Sequence, residues 1–395
     1  MKIAFFDFNN NFGGAPRGSL SLANRLNERG ATVRVFDAYG QCDDYIEQIK
    51  KYQLDYDVFN PKSKHRVIGG KNIGRRLLNF ALQIPDLTQI VFRLRNSIKK
   101  NKLDLLWVNN KKSLFFATLA TFGLNVKVVL YYRGWGTDKE FDSVFKFLVQ
   151  NKCSALIGHS RATVSRLKLM FPSLKTTYVP NSVDYDLTQQ SEVSRLQGKE
   201  SIKILLPAAR PVLEKGHLVA VKALKKLSES YEEKKIELIF PGKVPVGTSS
   251  KFINELYSFI DDSNLQEKVH FIGWKDSLKD TILDSDIVIL PSHTEGFPRV
   301  IIEAMLLNRP VIATPVGGIP EAITDGVSGY IVPIDSHLEL VNKIEMLFQD
   351  DSNLINLVEN AYLHAKSEFC PKRQADIVFD VFKDTINNYE IRTFN

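Results

Sequence analysis

Cysteine is scarce. Cys42, Cys153 and Cys370 are the three in 395 residues. They are odd in number, far apart and without a C-x-x-C pair, so neither a disulfide framework nor a thiolate metal cluster is supported, and a reducing cytoplasm fits. No run of about 18 apolar residues occurs, which argues against a membrane-spanning helix. The opening stretch "MKIAFFDFNNNFGG" has an apolar run too short for a signal-peptide core, so a soluble or peripheral protein is expected. G-x-G-x-x-G and G-x-x-x-x-G-K-[ST] are both missing, which disfavours a dinucleotide-binding dehydrogenase and a P-loop NTPase. There is no short-period repeat and no low-complexity tract.

Hydrophobic residues make up 44% of the chain and aromatics 10%, ample for ordinary globular cores, and the length suits two or three domains. The net charge of +7 favours anionic partners, whether phosphorylated small molecules, acidic lipid surfaces or nucleic acid. Short β-rich runs alternate with helical patterns from end to end, which reads as an α/β protein with parallel sheets. In the first half "KIAFF", "TVRVF", "LDLLWV", "VKVVLYY" and "SALIG" read as buried strands. In the second, "IKILLPA", "IELIFPG", "KVHFIGW", "DIVILPS", "RPVIAT" and "SGYIVP" do. Residues 179–201 are poor in large apolar side chains after Val183 and read as a linker. Two doubly wound domains result, residues 1–185 and 186–370, with ligands expected outside the carboxyl ends of the strands.

Two loops are suited to phosphate. After the first strand, Gly13 and Gly14 precede a helix with Pro16 in its first turn and Gly30 as its stop. Glycines there let backbone amides approach an anion at a helix N-terminus, although a plain tight turn would look the same. The second domain opens with "ILLPAARPVLEKGH", which sets Arg210 and Lys215 just past its first strand. Arg in a forked geometry and Lys as a compact charge suit a diphosphate, the alternative being two solvated cations.

A third loop, "SHTEGFPRVIIEAM" at 292–305, sets two carboxylates around a helix start. Pro298 opens the helix, and Asn308 and Pro310 help to end it. Amides near Arg299 and Val300 can bind phosphate, Glu303 one turn on can accept hydrogen bonds from a ribose, and Glu295 can reach hydroxyls beyond the phosphate. One ligand with a ribose, a diphosphate and a second polyol would satisfy them all. The plainer alternative is that Glu303 stabilises its helix start and Glu295 is solvated.

"EGFPRVIIEAM" resembles the E-x7-E motif of the retaining, nucleotide-sugar-dependent glycosyltransferases of family 4, which have the GT-B architecture of two Rossmann-like domains facing a central cleft. "AARPVLEKG", "FIGW", "ATPVGGIPEAITDGVSGYIVP", "VPNSVD" and "FGGAPRGSLSLANRL" extend the likeness, which is strong over about 203–335 and patchy before. The resemblance implies that Glu303 holds the ribose and that Glu295 contacts the donor sugar from the loop of Gly296, Phe297 and Pro298. Arg210 and Lys215 would neutralise the diphosphate, Gly14 with Gly13 would close on it, and Gly273 with Trp274 would border the base. It further implies a nucleotide-sugar donor, UDP-linked by preference, a glycan or lipid-linked acceptor in cell-surface polysaccharide synthesis, and a tail, 371–395, that crosses back to the first domain. Many members carry a His where Arg133 stands here, which puts a His-based role near the acceptor in doubt. His159 and His293, at other strand ends, read as structural. Rival readings are a nucleotide-sugar epimerase of the same architecture and a catalytically silent subunit. Nucleic-acid binding rests on charge alone and is not expected.

Three D-x-D triplets, Asp55/Asp57, Asp184/Asp186 and Asp284/Asp286, match a metal signature of other glycosyltransferases. They read as accidental, with no metal or cofactor required. Finally, residues 62–102 hold eleven Lys and Arg against the single acid Asp86. One apolar stripe, Ile73, Leu77, Phe80, Ala81 and Ile84, and a second, Leu87, Val91, Leu94 and Ile98, flank Pro85. They would either pack on the sheet or, with Arg75, Arg76, Arg93 and Arg95, hold the protein at an anionic bilayer on the inner face of the cell membrane.

Overall fold

The computed structural model describes residues 1–9, 12–62, 83–134, 141–185, 192–208, 211–242, 251–275 and 277–387. They form two compact units, Met1–Pro180 with Pro371–Asn395, and Asn181–Cys370. The first unit alternates β1 (Lys2–Asp7), α1 (Gly14–Glu28), β2 (Thr32–Asp37), α2 (Asp43–Lys51), β3 (Asp55–Val58), α3 (Ile84–Asn101), β4 (Leu105–Val108), α4 (Lys111–Ala120), β5 (Lys127–Tyr132), α5 (Ser143–Lys152), β6 (Cys153–Gly158), α6 (Arg161–Met170) and β7 (Thr176–Tyr178). Its strands are all parallel, in the order β3-β2-β1-β4-β5-β6-β7.

Successive side chains of a strand point to opposite faces, and in β1 both faces are buried. Ile3 and Phe5 join Trp107 and α1 in one core, while Ala4 and Phe6 join α3, α4 and α5 in the other. That two-sided burial is why the run reads as continuously apolar.

The second unit repeats the plan. Its elements are β8 (Ser201–Leu205), α7 (His217–Ser230), β9 (Lys235–Phe240), α8 (Lys251–Asp262), β10 (Val269–Phe271), α9 (Lys279–Leu283), β11 (Ile287–Leu290), α10 (Arg299–Leu306), β12 (Val311–Ala313), α11 (Ile319–Ala322), β13 (Tyr330–Ile331), α12 (His337–Gln349) and α13 (Asp351–Glu368). The parallel order is β10-β9-β8-β11-β12-β13. Each unit is therefore a Rossmann-like doubly wound domain, the α/β architecture read from the sequence. In each, the strand order reverses beside the first strand, between β1 and β4 and between β8 and β11, where such sheets open a crevice for ligands.

The last described helix, α14 (Pro371–Asn387), packs on α1, β5 and β6 of the first unit. Val378 and Phe382 are buried in its core, Phe382 lies 6.0 Å from Trp107, and Gln374 donates to the Pro180 carbonyl at 2.6 Å.

The stretch expected to be a linker is packed at its start, residues 179–183, and again at Leu196. Asn181 donates to the Phe297 carbonyl at 2.8 Å, Val183 is buried, and Leu196 lies in the main core of the second unit. Residues 181–185 thus go with the second unit rather than the first, because one buried amide and one buried valine fix them there. Residues 186–191 lie outside the described residues.

The second stripe of the basic segment faces the sheet. Leu94 and Ile98 are buried with Ile90, and Leu87 and Val91 pack against the same core. Pro85 sits in the first turn of α3, where its missing N–H costs nothing. Arg93 donates to the Phe59 carbonyl, and Arg95 to those of Ala120 and Phe122. Ile73, Arg75, Arg76, Leu77, Phe80 and Ala81 lie outside the described residues. Among the described residues no helix is long and apolar enough to cross a membrane.

Candidate active site

In the second unit, β11 delivers the chain into the loop 291–298, and several bonds fix that loop. Thr314 donates its hydroxyl to the Ser292 carbonyl, and the Gly318 amide donates to the Gly296 carbonyl at 2.6 Å. Phe297 is buried, with its ring 5.3 Å from that of Phe369. Its side chain is therefore a core anchor, and a ligand could meet only the backbone there. Gly318 has to be glycine, because a Cβ would lie 2.3 Å from the Phe297 ring.

This anchoring presents Glu295 to Lys215, whose Nζ lies 2.7 Å from Glu295 Oε1; Ser292 Oγ donates to the same oxygen at 2.9 Å. Lys215 ends a single 3-10 turn, Leu213–Lys215, and the chain then passes through Gly216 at φ +71° into α7. A Cβ on Gly216 would lie 2.0 Å from the Pro291 carbonyl oxygen, so glycine lets the Lys215 turn press against the end of β11. The His293 amide donates to the Glu214 carbonyl at 2.8 Å and ties the two loops again. Arg210 lies outside the described residues.

Helix α10 starts at Arg299 after Pro298, and no side chain caps its N-terminus. Its uncapped start, carrying Arg299 and Val300, has the character of an anion site. Glu303 is mostly buried one turn in, 3.9 Å from Arg299 Nε. Asn308 ends the helix at φ +55°, the left-handed conformation expected of it. At the end of β10 on the same sheet edge, Gly273 takes φ +77° and Trp274 leaves about half its surface exposed.

In the first unit, Gly13 and Gly14 form the start of α1, again without a side-chain cap, and Gly13 has φ −81°. Backbone torsion does not demand glycine at Gly13, so what glycine supplies is bare backbone at a helix start. Arg133, at the end of β5, reaches this point, with Nη1 3.5 Å from the Ala15 carbonyl and its guanidinium over the Tyr131 ring at 4.5 Å.

His159 is buried, its Nδ1 3.2 Å from the Tyr132 carbonyl oxygen, and burial pushes its pKa down to about 4. His293 pairs with Asp335 at 2.7 Å. Two of the D-x-D triplets hold their own fold, and Asp186 of the third lies outside the described residues. Asp55 and Asp57 bind Arg34, and Asp286 accepts from the Lys203 amide, Ser194 and Lys199 at the opposite end of β11 from the candidate site. Among the described residues no three His, Cys, Asp or Glu side chains converge as a metal site.

Three features escaped sequence reasoning. His217 is fully buried beneath the Lys215 turn with its ring 4.8 Å from that of Phe240, and burial lowers its pKa to about 4, so it is neutral near pH 7. Asp7, at the end of β1, accepts from Asn110 at 2.6 Å and Ser113 at 2.7 Å across the β1/β4 crevice. Asp37 accepts from Asn9 and from the amides of Tyr39 and Gly40, and burial raises its pKa. An acid ending a strand was the only trace of the last two.

A pair of Rossmann-like units whose switch-point loops carry paired Lys215 and Glu295, a buried acid one turn into α10 and uncapped helix starts is a two-domain α/β architecture with anion-suited loops at its sheet edges. Comparison with known proteins makes it specific. Residues 12–187 match the model described as Glycosyltransferase Family 4 and residues 189–364 that described as Glycosyl transferases group 1. The chain belongs to this glycosyltransferase family. It is 25% identical over 279 residues to N-acetyl-alpha-D-glucosaminyl L-malate synthase of Bacillus anthracis, covering 67% of this chain and 71% of that protein. It is 21% identical over 322 residues to UDP-Gal:alpha-D-GlcNAc-diphosphoundecaprenol alpha-1,3-galactosyltransferase of Escherichia coli, covering 77% and 81%. The fold matches Anabaena HepE in complex with UDP-glucose at a TM-score of 0.77 and 21% identity, over 97% of this chain and 100% of that one. The protein is thus a GT-B glycosyltransferase.

Proposed function

We propose that this enzyme transfers a hexose from a UDP-sugar, with retention of anomeric configuration, to a hydroxyl of a glycan or lipid-linked acceptor in cell-surface polysaccharide synthesis. The observation that carries the reading is the convergence of Lys215, Glu295, Glu303 and the α10 N-terminus on one sheet edge. In this reading Glu303 accepts hydrogen bonds from the ribose hydroxyls, and the amides of Arg299 and Val300 hold phosphate oxygens. Lys215, with Arg210, neutralises the charge that grows on the leaving diphosphate as the glycosidic bond breaks, the term that dominates such transition states. Glu295 orients the sugar and keeps Lys215 in place until the donor arrives. Gly273 with Trp274 borders the base, and the bare helix start at Gly13 and Gly14 with Arg133 gives the first unit its own anion-suited loop.

The motif set offers no obvious nucleophilic carboxylate, so in this reading the acceptor hydroxyl attacks from the face that the diphosphate leaves. Fixed cations and helix starts do the work of a metal, and none is required. The UDP-glucose complex of the HepE fold relative and the diphosphoundecaprenol acceptor in the name of the Escherichia coli relative support the choice of donor and acceptor class. The test is a screen of nucleotide sugars by thermal stabilisation, then product analysis with the ligand that binds. A UDP-sugar should raise the melting temperature, by mass action, and yield an axial-to-axial product. Inversion, or stabilisation by none of the sugars, defeats the reading.

A further inference from the structure

The outward side of the first unit carries apolar side chains that its own core does not use. Helices α3, α4 and α5 cover the same sheet face, and their inner residues form one core. On the outer side of α4, Phe115, Leu119 and Phe122 follow one another at four and three residues, and all are exposed, Phe122 at 78%. Phe92 on α3 and Phe147 on α5 are each 64% exposed. A helix outer surface is normally polar, and exposed apolar patches of this kind mark contact sites.

The position of Phe122 is fixed. Arg95 of α3 donates to the carbonyls of Ala120 and Phe122, and Lys152 of α5 to that of Thr121. Two neighbouring helices thus clamp the turn that holds this ring out in solvent.

The charge on these helices is predominantly positive. They contain eight Lys and Arg against the single acid Asp86, and Asp142, which caps α5, is paired with Lys111. Lys99 and Lys100 on α3 and Lys146 on α5 are exposed. Two copies of such a face would repel one another, which disfavours self-association, whereas an anionic surface would be attracted. The rings stand on the outer sides of three separate helices, an arrangement that suits insertion into a deformable apolar phase.

We propose that this α3–α4–α5 face docks the enzyme onto an anionic lipid bilayer, with Phe122, Phe147 and Phe92 entering the acyl boundary and Lys99, Lys100 and Lys146 lying at the headgroups. This moves the membrane contact from the stripe of α3, which is core, to outward residues of three helices. It deepens the lipid-linked-acceptor reading and rests on it for its biological purpose.

The experiment is sedimentation of the full chain with vesicles of phosphatidylcholine alone and of phosphatidylcholine with phosphatidylglycerol. The parent should pellet with the mixed vesicles and not with the neutral ones. Phe122→Ser with Phe147→Ser should weaken partition by at least about tenfold, and Lys99→Glu with Lys100→Glu and Lys146→Glu should abolish it. Donor hydrolysis without lipid, followed as UDP release, should be unchanged in both, which separates failure of docking from failure of the transfer reading. Were the serine variant to misfold, the glutamate variant decides alone. The proposal is overturned if the parent stays in the supernatant with both vesicle types, which would leave an acidic soluble partner as the reading of this face, or if the serine variant pellets like the parent, which would remove the aromatic rings from the contact. It is also overturned if the serine variant turns a dimer into a monomer without lipid, which would make this face a contact between copies.

Discussion

Lys215 and Glu295, 80 residues apart in sequence, meet at 2.7 Å because one glycine lets their loops touch. In the proposed function the pair couples a cation for the diphosphate to a carboxylate for the sugar. Lys215→Ala should therefore lower transfer by at least about tenfold, equivalent to roughly 1.4 kcal/mol in the barrier, and weaken UDP binding. Combining it with Glu295→Ala should cost less than the sum of the two single losses, since each variant already breaks the pair. Strict additivity in rate assays of purified, folded variants would separate the two residues.

Glu303→Ala should lower kcat/KM for the donor by about tenfold or more, chiefly through a raised KM, because a ribose contact is made equally before and during reaction. Near-normal kinetics in a folded variant would remove Glu303 from the ribose.

Gly216→Ala offers a geometric check. The added methyl meets the Pro291 carbonyl at 2.0 Å in a backbone conformation that side chains disfavour, so a loss of about 2 kcal/mol or more is expected in denaturant melts. Unchanged stability together with full activity would show that the Lys215 turn can sit elsewhere.

Acid should weaken the fold through two histidines. His159 and His217 have pKa values lowered from 6.5 to about 4 by burial. The unfolded chain binds their protons below 6.5 while the native chain does not, so stability is intact above that pH and falls as pH drops toward 4. A shift of that size corresponds to on the order of 3 kcal/mol per residue below pH 4. His217→Phe should flatten the dependence of melting temperature on pH in this window, and an unaltered slope would contradict the burial of a neutral ring.

Turnover should survive EDTA. Loss of activity on chelation, restored by a divalent ion, would return the acidic triplets to consideration, each to be tested by Asp→Asn substitution.

What could be read from the sequence follows burial. The eleven strands foreseen are all present; nine lie inside their sheets, where parallel strands are largely apolar, and the edge strands β10 and β13 still carried an apolar run. The two overlooked, β3 "DYDV" and β7 "TTY", lie at the edges of their sheet, where side chains are only half covered and the pattern fades. At the site, Glu295, Glu303, Lys215 and the glycines stood out because loops advertise special chemistry. His217 did not, since a buried neutral ring beside Phe240 looks in sequence like any polar residue at a helix start. The inward turn of the Phe297 ring was hidden for a related reason, as a motif shows which residues recur together and not which of them turn inward to Phe369.

The return of α14 to the first unit has a consequence for how the protein is made. Residues 181–370 are contiguous and can fold as soon as they leave the ribosome, whereas the core around Trp107 stays open until Val378 and Phe382 have been synthesised. The half begun first is completed last, and through that interval its apolar sheet face, still lacking one helix, is the surface on which a chaperone would act or aggregation would start.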